Sequence, residues 1–575
     1  MNENRDIADD VSEDEFIPYA CHYDAQTLLT KNGELLQILR ITTNAEGLDY
    51  EQQNGPTIRD ALRDAISAHA SSKRLAFWIH TLRRRQPLPP APAFNNAFAT
   101  RLHAAWRQAH PWEYSYTNEI YLSVLTEGDA VELFDKKRLY DNLFVARNRR
   151  RRESFLRAAH VTLEAAVNGV LSFLAERCNA KRLQIVARGG EEGNAPVYYS
   201  EPLEFLHFLI NLEHAEMPVS DTDSAMQLAR HELSFGFDAL ESRRGKSLRR
   251  FASILTVKGS PLLPPEAIDR CLQIPEALVV TQTFNFVSSR QALEKASAAR
   301  ELLQASPDKE MMRRCGLEAL LKSDRGQATD FGEQQTSVML IVDQFRRLDE
   351  ALGIVQEAFA QQGLVTVRED MRLEDVFWSQ LPGNFPFLCR RSPLPASRLG
   401  ALARLNQFPT GSARNNHWGN ALTVLPTLRG TPYFFNFHIG DIGHTALLDF
   451  NSFADERGAL FLNFLLAYSR QYHGRLFVLD RGQASRLLIK SLGGRYEVLD
   501  GTETGLRLNP LQLEDSKRDR SFLGAWLLNC VHHDDENTEA MREIIRQALD
   551  EIFALPASER TLETALARLK AHGAE

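Results

Sequence analysis

The feature that most constrains the fold is a strand-loop-helix-strand pattern between Gly443 and Asp480. Residues 445–448 read Thr-Ala-Leu-Leu, which predicts a buried strand. Residues 460–466 form an apolar stretch typical of a helix, and residues 476–480, Leu-Phe-Val-Leu-Asp, predict the next parallel strand. This order is the frame of a nucleotide-binding α/β unit, in which the loop after the first strand cradles phosphates.

The loop in this frame lacks the side chains that bind phosphate. In the motif G-x-x-x-x-G-K-[ST], backbone N–H groups and the lysine contact phosphates, and the Ser or Thr hydroxyl binds Mg²⁺. Here residues 449–459 read DFNSFADERGA, with Gly458 at the lysine position and Ala459 at the hydroxyl position. Asp455 and Glu456 add negative charge near the phosphates, at about 1 kcal/mol for each like-charge pair in water. We therefore predict that ATP does not bind here in the usual way.

Other residues of the frame are candidates for a degenerate nucleotide pocket. An arginine, Arg457, precedes the lysine position and can pair with phosphate through its guanidinium, which leaves residual nucleotide binding open. Asp480 ends the second predicted strand, at the edge where ligands of α/β sheets bind. His444 is interpreted either as part of this pocket or as a packed residue where the first strand begins. These residues do not make up an intact catalytic site. The candidate nucleotide-binding residues are Gly443, His444, Thr445, Arg457, Gly458, Ala459 and Asp480.

The composition predicts a multidomain protein of the cytoplasm. The 575 residues correspond to three or four domains, and 43% hydrophobic and 25% charged residues are ordinary for globular proteins. The net charge of −8 does not favour wholesale nucleic-acid binding, and no apolar run approaches a membrane span. Six cysteines lack any C-x-x-C pair, which fits a reducing compartment. The cluster from Cys530 to Asp535 has no second pair of ligands and predicts a helix end with solvated histidines, not a metal site.

Strands and helices are predicted along most of the chain. Asn32 and Gly33 lie between apolar runs and predict a β-hairpin over residues 28–36 with a type I′ turn. Residues 338–367 predict a compact strand-helix-strand unit, and the pattern is helical from about residue 515 to the end. Further strands are predicted over residues 75–80, 119–125, 251–257, 277–286 and 336–342, and helices over residues 58–68, 98–109 and 291–321.

Several short phrases occur in an order that resembles a known family. They are FWSQLPGN, HWGNAL, GTPYFFNFH, GHT, DRG, LGGRY and LNPL, which begin at residues 377, 417, 430, 443, 480, 492 and 508. As an ordered set they resemble the CagE/TrbE/VirB family of type IV secretion ATPases. The resemblance extends over most of the chain and is looser in the N-terminal hairpin and the middle region.

The resemblance implies the fourth component of the VirB system, a secretion and conjugation ATPase at the cytoplasmic face of the bacterial inner membrane. Such a protein helps to assemble and power a channel that exports protein or DNA. ATP and Mg²⁺ are the implied cofactors. The implied partners are other type IV secretion inner-membrane subunits and copies of the same chain or of intact homologous ATPase subunits. The implied fold class is α/β, with N-terminal and middle α+β domains followed by an incomplete RecA-like P-loop NTPase domain with a helical subdomain.

The sequence departs from the family pattern twice. Its phosphate loop is altered, and it ends at Glu575, within helices that in the family precede the strand with the hydrolytic carboxylate. Because a sheet of two or three strands leaves open edges, we expect the last domain to need a second polypeptide or a homologous subunit. The expected segments are an acidic tail (1–15), an N-terminal α/β domain (16–175), a middle domain (176–385), a linker (386–440), a partial RecA-like domain (441–515) and a shortened helical subdomain (516–575).

These departures favour a non-hydrolysing structural or assembly subunit of a secretion system. The alternative is an active ATP-binding secretion ATPase that is completed by a second polypeptide or a partner subunit. Whether the chain is an enzyme depends on which of the two holds.

Two basic clusters have separate interpretations. The run Arg149, Arg150, Arg151 and Arg152 predicts either a solvated helix face or a contact with anionic membrane lipid, worth about 1 kcal/mol per basic residue. Lys246 lies in a Gly-Lys-Ser triplet that resembles the end of a phosphate loop. Because this triplet precedes a predicted strand and does not open a helix, it predicts a basic surface turn.

Overall fold

The structure, a computed structural model, divides into two compact units. The first comprises Met1–Leu448 and Tyr468–Gly474, and the second Asp449–Ala467 and Arg475–Glu575. Among the described residues, no helix is both long and apolar enough to cross a membrane. The described residues are 12–42, 75–126, 145–175, 179–189, 196–246, 248–258, 268, 270–287, 294, 297, 301, 331–395, 410–427, 431–448, 457–472, 474–498, 508–531 and 538–573.

The first unit is built on a large antiparallel sheet of thirteen strands. Its central order is β1-β2-β3-β5-β4-β12-β13-β11-β10-β9, while β6, β14 and β15 pair with β3, β11 and β13. Two small hairpins, β7-β8 and β16-β17, lie outside it. The strands are β1 (Tyr19–His22), β2 (Thr27–Thr30), β3 (Leu35–Thr42), β4 (Leu75–Pro87), β5 (Tyr114–Thr126), β6 (Asn179–Arg182), β7 (Ile185–Arg188), β8 (Val197–Ser200), β9 (Glu232–Phe235), β10 (Leu240–Arg244), β11 (Leu248–Lys258), β12 (Ala277–Val287), β13 (Phe331–Val342), β14 (Val365–Arg368), β15 (Ser392–Pro395), β16 (Thr423–Pro426) and β17 (Pro432–Phe435).

In the first unit, α-helices pack on both faces of this sheet. Other α-helices form the core of the second unit. They are α1 (Ala97–Ala109), α2 (Val145–Leu174), α3 (Glu201–Asn211), α4 (Ser224–Leu228), α5 (Leu348–Ala360), α6 (Leu373–Trp378), α7 (Arg457–Tyr468), α8 (Arg486–Ser491), α9 (Lys517–Val531), α10 (Thr538–Phe553) and α11 (Leu562–Ala571). In the second unit, α9, α10 and α11 share one apolar core. Its described residues form helices and turns but no strand.

The central strand β4 shows why the sheet is covered on both faces. Successive side chains of a strand point to opposite faces, and in β4 both sets are apolar. Ala76 and Trp78 join the core beneath α3 and α6, whereas Leu75 and Phe77 join the core beneath α2. A strand that is apolar on both faces therefore lies in the middle of a sheet between two helical layers.

The predicted hairpin over residues 28–36 is confirmed, but its turn type is wrong. β2 and β3 pair antiparallel through a three-residue loop. Gly33 has a φ of +85°, and Asn32 does not have a positive φ, whereas a type I′ turn needs two positive φ values. The amide of Thr30 donates to the carbonyl of Glu34 (2.9 Å), which closes the longer loop.

The two strands and the helix predicted over residues 338–367 are confirmed. The expectation that the two strands are neighbours in a compact unit is wrong. β13 and β14 both pair antiparallel with β11, so they are parallel to each other with β11 between them. The helix α5 connects them across one face. Local periodicity predicts the elements, whereas a strand more than 70 residues earlier in the chain occupies the central position.

Most other predicted elements of the first unit are confirmed with longer bounds. Residues 182–186 belong to two strands, β6 and β7, and to the link between them. Strands from the predicted N-terminal and middle segments meet in one sheet, where β4 pairs with β12. The predicted helix over residues 58–68, and all but three residues of the one over 291–321, lie outside the described residues.

Candidate functional site

Gly443, His444 and Thr445 lie in an exposed, non-regular segment at the end of the first unit. The Thr445 hydroxyl donates to the carbonyl of Phe437 (2.8 Å), and the segment forms no strand. Leu448 is 72% exposed. The predicted buried strand over residues 445–448 is therefore wrong, and so is the interpretation of His444 as a packed residue. Apolar residues alone do not make a strand when no neighbouring strand pairs with them.

The glycine of this segment is explained by a cluster of aromatic rings. The imidazoles of His417 and His438 stack at 4.3 Å, and the ring of Trp418 lies edge-on at 4.4 Å from His438. A Cβ atom on Gly443 would lie 2.3 Å from Nε2 of His438. Nδ1 of His417 is also 3.3 Å from the carboxylate of Asp441. Gly443 thus permits the close approach of His438, which accounts for a glycine here without any phosphate.

In the second unit, the first turn of α7 contains Arg457, Gly458 and Ala459. The Arg457 side chain is exposed, while Gly458 and Ala459 supply neither an ammonium group nor a hydroxyl. This set of groups does not fit the usual contacts of Mg²⁺ and a terminal phosphate. Residues 449–456, with Asp455 and Glu456, lie outside the described residues.

Asp480 caps a turn before α8. Its Oδ1 accepts from the amide of Gly482 (3.1 Å), and its Oδ2 accepts from the amide of Ser485 (2.8 Å). The hydroxyl of Tyr496 lies 3.4 Å from Oδ2. A carboxylate that accepts from backbone N–H groups organises a turn locally. In this structure Asp480 therefore stabilises the turn that precedes α8.

The segment before Asp480 is not the strand that we predicted. Residues 474–480 have no regular secondary structure, and the side chains of Phe477 and Leu479 are 87% and 84% exposed. The described part of the second unit offers no strand with which they could pair. The prediction of a parallel strand over residues 476–480 is therefore wrong for this chain alone.

Asn463 attaches α7 to the turn that Asp480 caps. Its Oδ1 accepts from the Ser485 hydroxyl (2.8 Å), and its amide nitrogen donates to the carbonyl of Ala484 (3.0 Å). Asn463 is buried. The sequence analysis missed this contact, although a single amide in the apolar run 460–466 was a signal. The structure thus links the elements that carry Arg457, Gly458, Ala459 and Asp480, whereas Gly443, His444 and Thr445 belong to the first unit.

A buried polar group in the first unit has the composition of a nucleophile, a base and an orienting acid. Oγ of Ser242 is 2.9 Å from Nδ1 of His231, and Nε2 of His231 is 3.3 Å from Glu213. However, Ser242 is 1% exposed, and its hydroxyl donates to the carbonyl of Asn211. Burial lowers the pKa of His231. Ser242 and His231 are therefore enclosed in the core, where a substrate cannot reach the hydroxyl group.

The remaining predicted clusters are placed as follows. Gly245 and Lys246 form an exposed turn between the antiparallel strands β10 and β11, which confirms a basic surface turn. Within the described ranges, no group of three or more His, Cys, Asp and Glu side chains could hold a metal. Residues 532–537 lie outside those ranges. The helix α2 includes residues 149–152, but the side chains of residues 149–151 are not described.

Comparison with known proteins places this fold in a family. A profile described as "CagE, TrbE, VirB family, component of type IV transporter system" matches residues 189–390. A second, for the N-terminal domain of the type IV secretion system ATPase VirB4/TrbE, matches residues 26–131. The chain belongs to the CagE/TrbE/VirB family.

Curated members of the CagE/TrbE/VirB family align along nearly all of this chain. The type IV secretion system protein virB4 of Bartonella henselae is 26% identical over 96% of this chain and 68% of its own length. The type IV secretion system protein PtlC of Bordetella pertussis is 24% identical over 96% and 67%. Protein virB4 of Agrobacterium fabrum is 26% identical over 92% and 66%.

Within this CagE/TrbE/VirB protein, both profile matches fall in the first unit. They include β2 to β5 and β9 to β14, which form most of the large sheet. The candidate nucleotide-binding residues, from Gly443 to Asp480, lie outside both matched ranges. Membership of the CagE/TrbE/VirB family therefore rests on the region of the sheet and on alignments along nearly all of this chain, not on an intact phosphate loop.

Proposed function

We propose that this chain is a non-hydrolysing structural or assembly subunit of a type IV secretion system, peripheral to the cytoplasmic face of the bacterial inner membrane. The observation that carries the proposal is the first turn of α7. Gly458 and Ala459 stand there in place of the lysine and the Mg²⁺-binding hydroxyl. Catalysis of phosphoryl transfer is almost entirely positioning and charge stabilisation, so the loss of both groups removes its main contributions.

The contacts of Asp480 support the same proposal. A carboxylate has about four lone-pair positions that can accept hydrogen bonds. In Asp480 one position on each oxygen is taken by an amide of its own turn, that of Gly482 or Ser485. The turn is further attached to α7 through Asn463. We infer that this remnant of a nucleotide-binding frame maintains the fold of the second unit and does no chemistry.

The proposed partners are other inner-membrane subunits of the secretion system and copies of this chain or of an intact homologous ATPase. Both matches to the family lie in the first unit, whereas the altered loop belongs to the second. The first unit therefore retains the part of the chain that is similar to secretion-system proteins, which supports partners of this kind. We retain the six expected segments as the proposed domain division, with the region 441–515 as a partial RecA-like domain.

A second candidate function is an ATP-binding ATPase that a second polypeptide completes. The specific observation is that Leu448, Phe477 and Leu479 have strand-like sequence patterns but are 72%, 87% and 84% exposed. Burial of such side chains by strands from another polypeptide would be favourable, at roughly 25 cal/mol for each Å² of apolar surface. In this alternative, Arg457 contacts the nucleotide phosphate in place of the lysine.

Equilibrium binding of ATP and its turnover separate the two functions. The purified chain is measured alone and mixed with an intact homologous ATPase, in the presence of Mg²⁺. The non-hydrolysing proposal expects no saturable micromolar binding to this chain and no turnover by it. The matched variants are Arg457→Ala, in the first turn of α7, and Arg518→Ala, an exposed arginine in the first turn of α9. Micromolar binding that Arg457→Ala abolishes and Arg518→Ala preserves would establish the second candidate instead.

We further propose that Arg149, Arg150, Arg151 and Arg152, on α2, contact anionic lipid at the membrane face. Each basic residue near a charged membrane contributes about 1 kcal/mol. Co-sedimentation with vesicles that contain anionic lipid should decrease with salt and be lost when the four arginines are replaced by glutamate. Equal sedimentation of the variant and the wild-type chain would exclude this contact.

A further inference from the structure

A cleft of about 680 Å³ lies in the first unit where four adjacent strands begin or end. It lies at the end of β4 and β13 and at the start of β12 and β11, which are consecutive neighbours in the sheet. Its size is within the range of small-molecule sites, which is about 300–1,000 Å³. The charged side chains on its walls are Arg84, Arg85, Arg250, Arg414, Glu213 and Asp343.

Two of these arginines are each held by a buried carboxylate, Glu119 or Glu276. Arg84 pairs with Glu119, and Arg85 pairs with both Glu276 and Asp343. The side chains of Arg84 and Arg85 are only 19% and 13% exposed. Paired guanidinium groups that are largely withdrawn from water keep their geometry and act in a lower effective dielectric. The wall of the cleft that they form is therefore preorganised.

The cleft has more positive than negative charge. Glu119 and Glu276 are shared with two further arginines, Arg40 at 3.3 Å and Arg347 at 2.5 Å. Arg250 lies 4.0 Å from Asp343, which already pairs with Arg85. With Arg414 the network contains six arginines and three carboxylates, so three positive charges are in excess. The other wall carboxylate, Glu213, is 3.2 Å from a separate arginine, Arg244.

Arg414 is the least constrained of the wall arginines. Its side chain is exposed, and within the described part of the chain no carboxylate forms an ion pair with it. It lies in the segment that precedes β16. An arginine of this kind can move onto a bound anion and form two parallel N–H···O hydrogen bonds with it.

His214 is a further polar side chain of the cleft. It lines the cleft, and its pKa is lowered, first by burial and then by the charge of Arg84. A neutral imidazole adds hydrogen-bonding capacity without a further charge. The aromatic ring of Phe208 lies beneath Arg84, 5.7 Å from its guanidinium carbon. The cleft thus combines a rigid apolar floor with a cationic wall.

We propose that this cleft binds the linked phosphoryl groups of a small soluble compound, with Arg414 closing over the anion. One phosphoryl group carries roughly −1.5 to −2 at neutral pH, so two linked groups match the three excess positive charges. A concave site of this volume suits a small molecule better than a flat lipid surface or a polymer backbone. This site is independent of α7 and of the proposed function, since all of its residues lie in the first unit.

The test is isothermal titration calorimetry of the full chain with inorganic pyrophosphate at low ionic strength. Arg414→Ala should weaken binding at least tenfold, and Arg414→Lys, which keeps the charge but not the paired donors, should weaken it less. The matched control is Arg157→Ala, which removes an exposed arginine on α2, the helix on the opposite face of the sheet. It should change binding less than twofold.

Three results would overturn the proposal. The first is no saturable heat with millimolar pyrophosphate. The second is equal weakening by Arg414→Ala and Arg157→Ala, which would indicate an unspecific effect of net charge. The third is Arg414-dependent binding to anionic vesicles or to single-stranded DNA with no binding of pyrophosphate, because the source of the phosphoryl groups would then be a membrane or a nucleic acid.

Discussion

Glu34 is a buried carboxyl group whose ionisation the fold opposes, and we predict that Glu34→Gln stabilises the first unit above neutral pH. The residue follows the loop of the β2-β3 hairpin and is 8% exposed. Its Oε2 accepts from the Thr30 hydroxyl (2.8 Å). Burial raises the pKa of Glu34 from 4.5 to about 7, while the Thr30 hydrogen bond lowers it to a smaller extent.

The size and sign of the effect follow from this pKa. Between about pH 4.5 and pH 7 the folded chain keeps a proton on Glu34 that the unfolded chain releases. Stability therefore decreases as pH rises through this window, and the loss is complete above it. A pKa about 2.5 above its ordinary value corresponds to about 3 kcal/mol. Glutamine remains neutral, so we expect Glu34→Gln to add about 1 to 3 kcal/mol at pH 8 and almost nothing at pH 4.5.

Urea unfolding monitored by tryptophan fluorescence measures this difference. Five of the six tryptophans belong to the first unit, so the signal reports mainly on it. The control is Glu113→Gln, which changes the same group at an exposed position and should shift the free energy of unfolding by less than about 0.5 kcal/mol. If Glu34→Gln has the same effect at pH 5 and pH 8, the assignment of the destabilisation to a buried charge is wrong.

Three further substitutions test other contacts by the same unfolding assay. Arg390→Ala should destabilise the first unit by about 3 kcal/mol, because the Glu369 carboxylate that it pairs with is fully buried; equal stability of variant and wild type would contradict this. Gly411→Ala should cost more than about 1 kcal/mol, because φ is +69° and the new Cβ would lie 1.9 Å from the Phe434 carbonyl oxygen. Asp480→Ala should cost about 1 to 2 kcal/mol in the second unit and speed hydrogen exchange of the two amides that it accepts; unchanged exchange would argue against the cap.

Local sequence patterns predicted much of the first unit because they depend on a few neighbouring residues. The hairpin at Gly33, the apolar strand that starts at Leu75 and the helix that ends at Ala109 all follow from turn chemistry or periodicity. The turn type at Gly33 was wrong because side-chain and backbone bonds between Thr30 and Glu34 select a longer loop. Such bonds leave no mark on the hydrophobic pattern.

The candidate site was predictable only in its composition. The identity of Gly458 and Ala459 is a fact of sequence, and it excludes the usual phosphate and Mg²⁺ contacts. The exposure of Phe477 was not predictable, because an apolar run reads as a strand whether or not another strand is available to pair with it. The same limit applies to Asp480, whose position after an apolar run does not show which amides it will accept.

The sequence by itself determined the resemblance to the CagE/TrbE/VirB family, the loss of the phosphate-binding side chains and most helices and strands, since each depends on residue identity or on short-range periodicity. Only the tertiary structure decided that β11 separates β13 from β14 and that Asp480 caps a turn. It also brought Arg84, Arg250 and Arg414 to one cleft. These arginines are separated by more than 160 residues at each step, and only the pairing of distant strands brings such residues together.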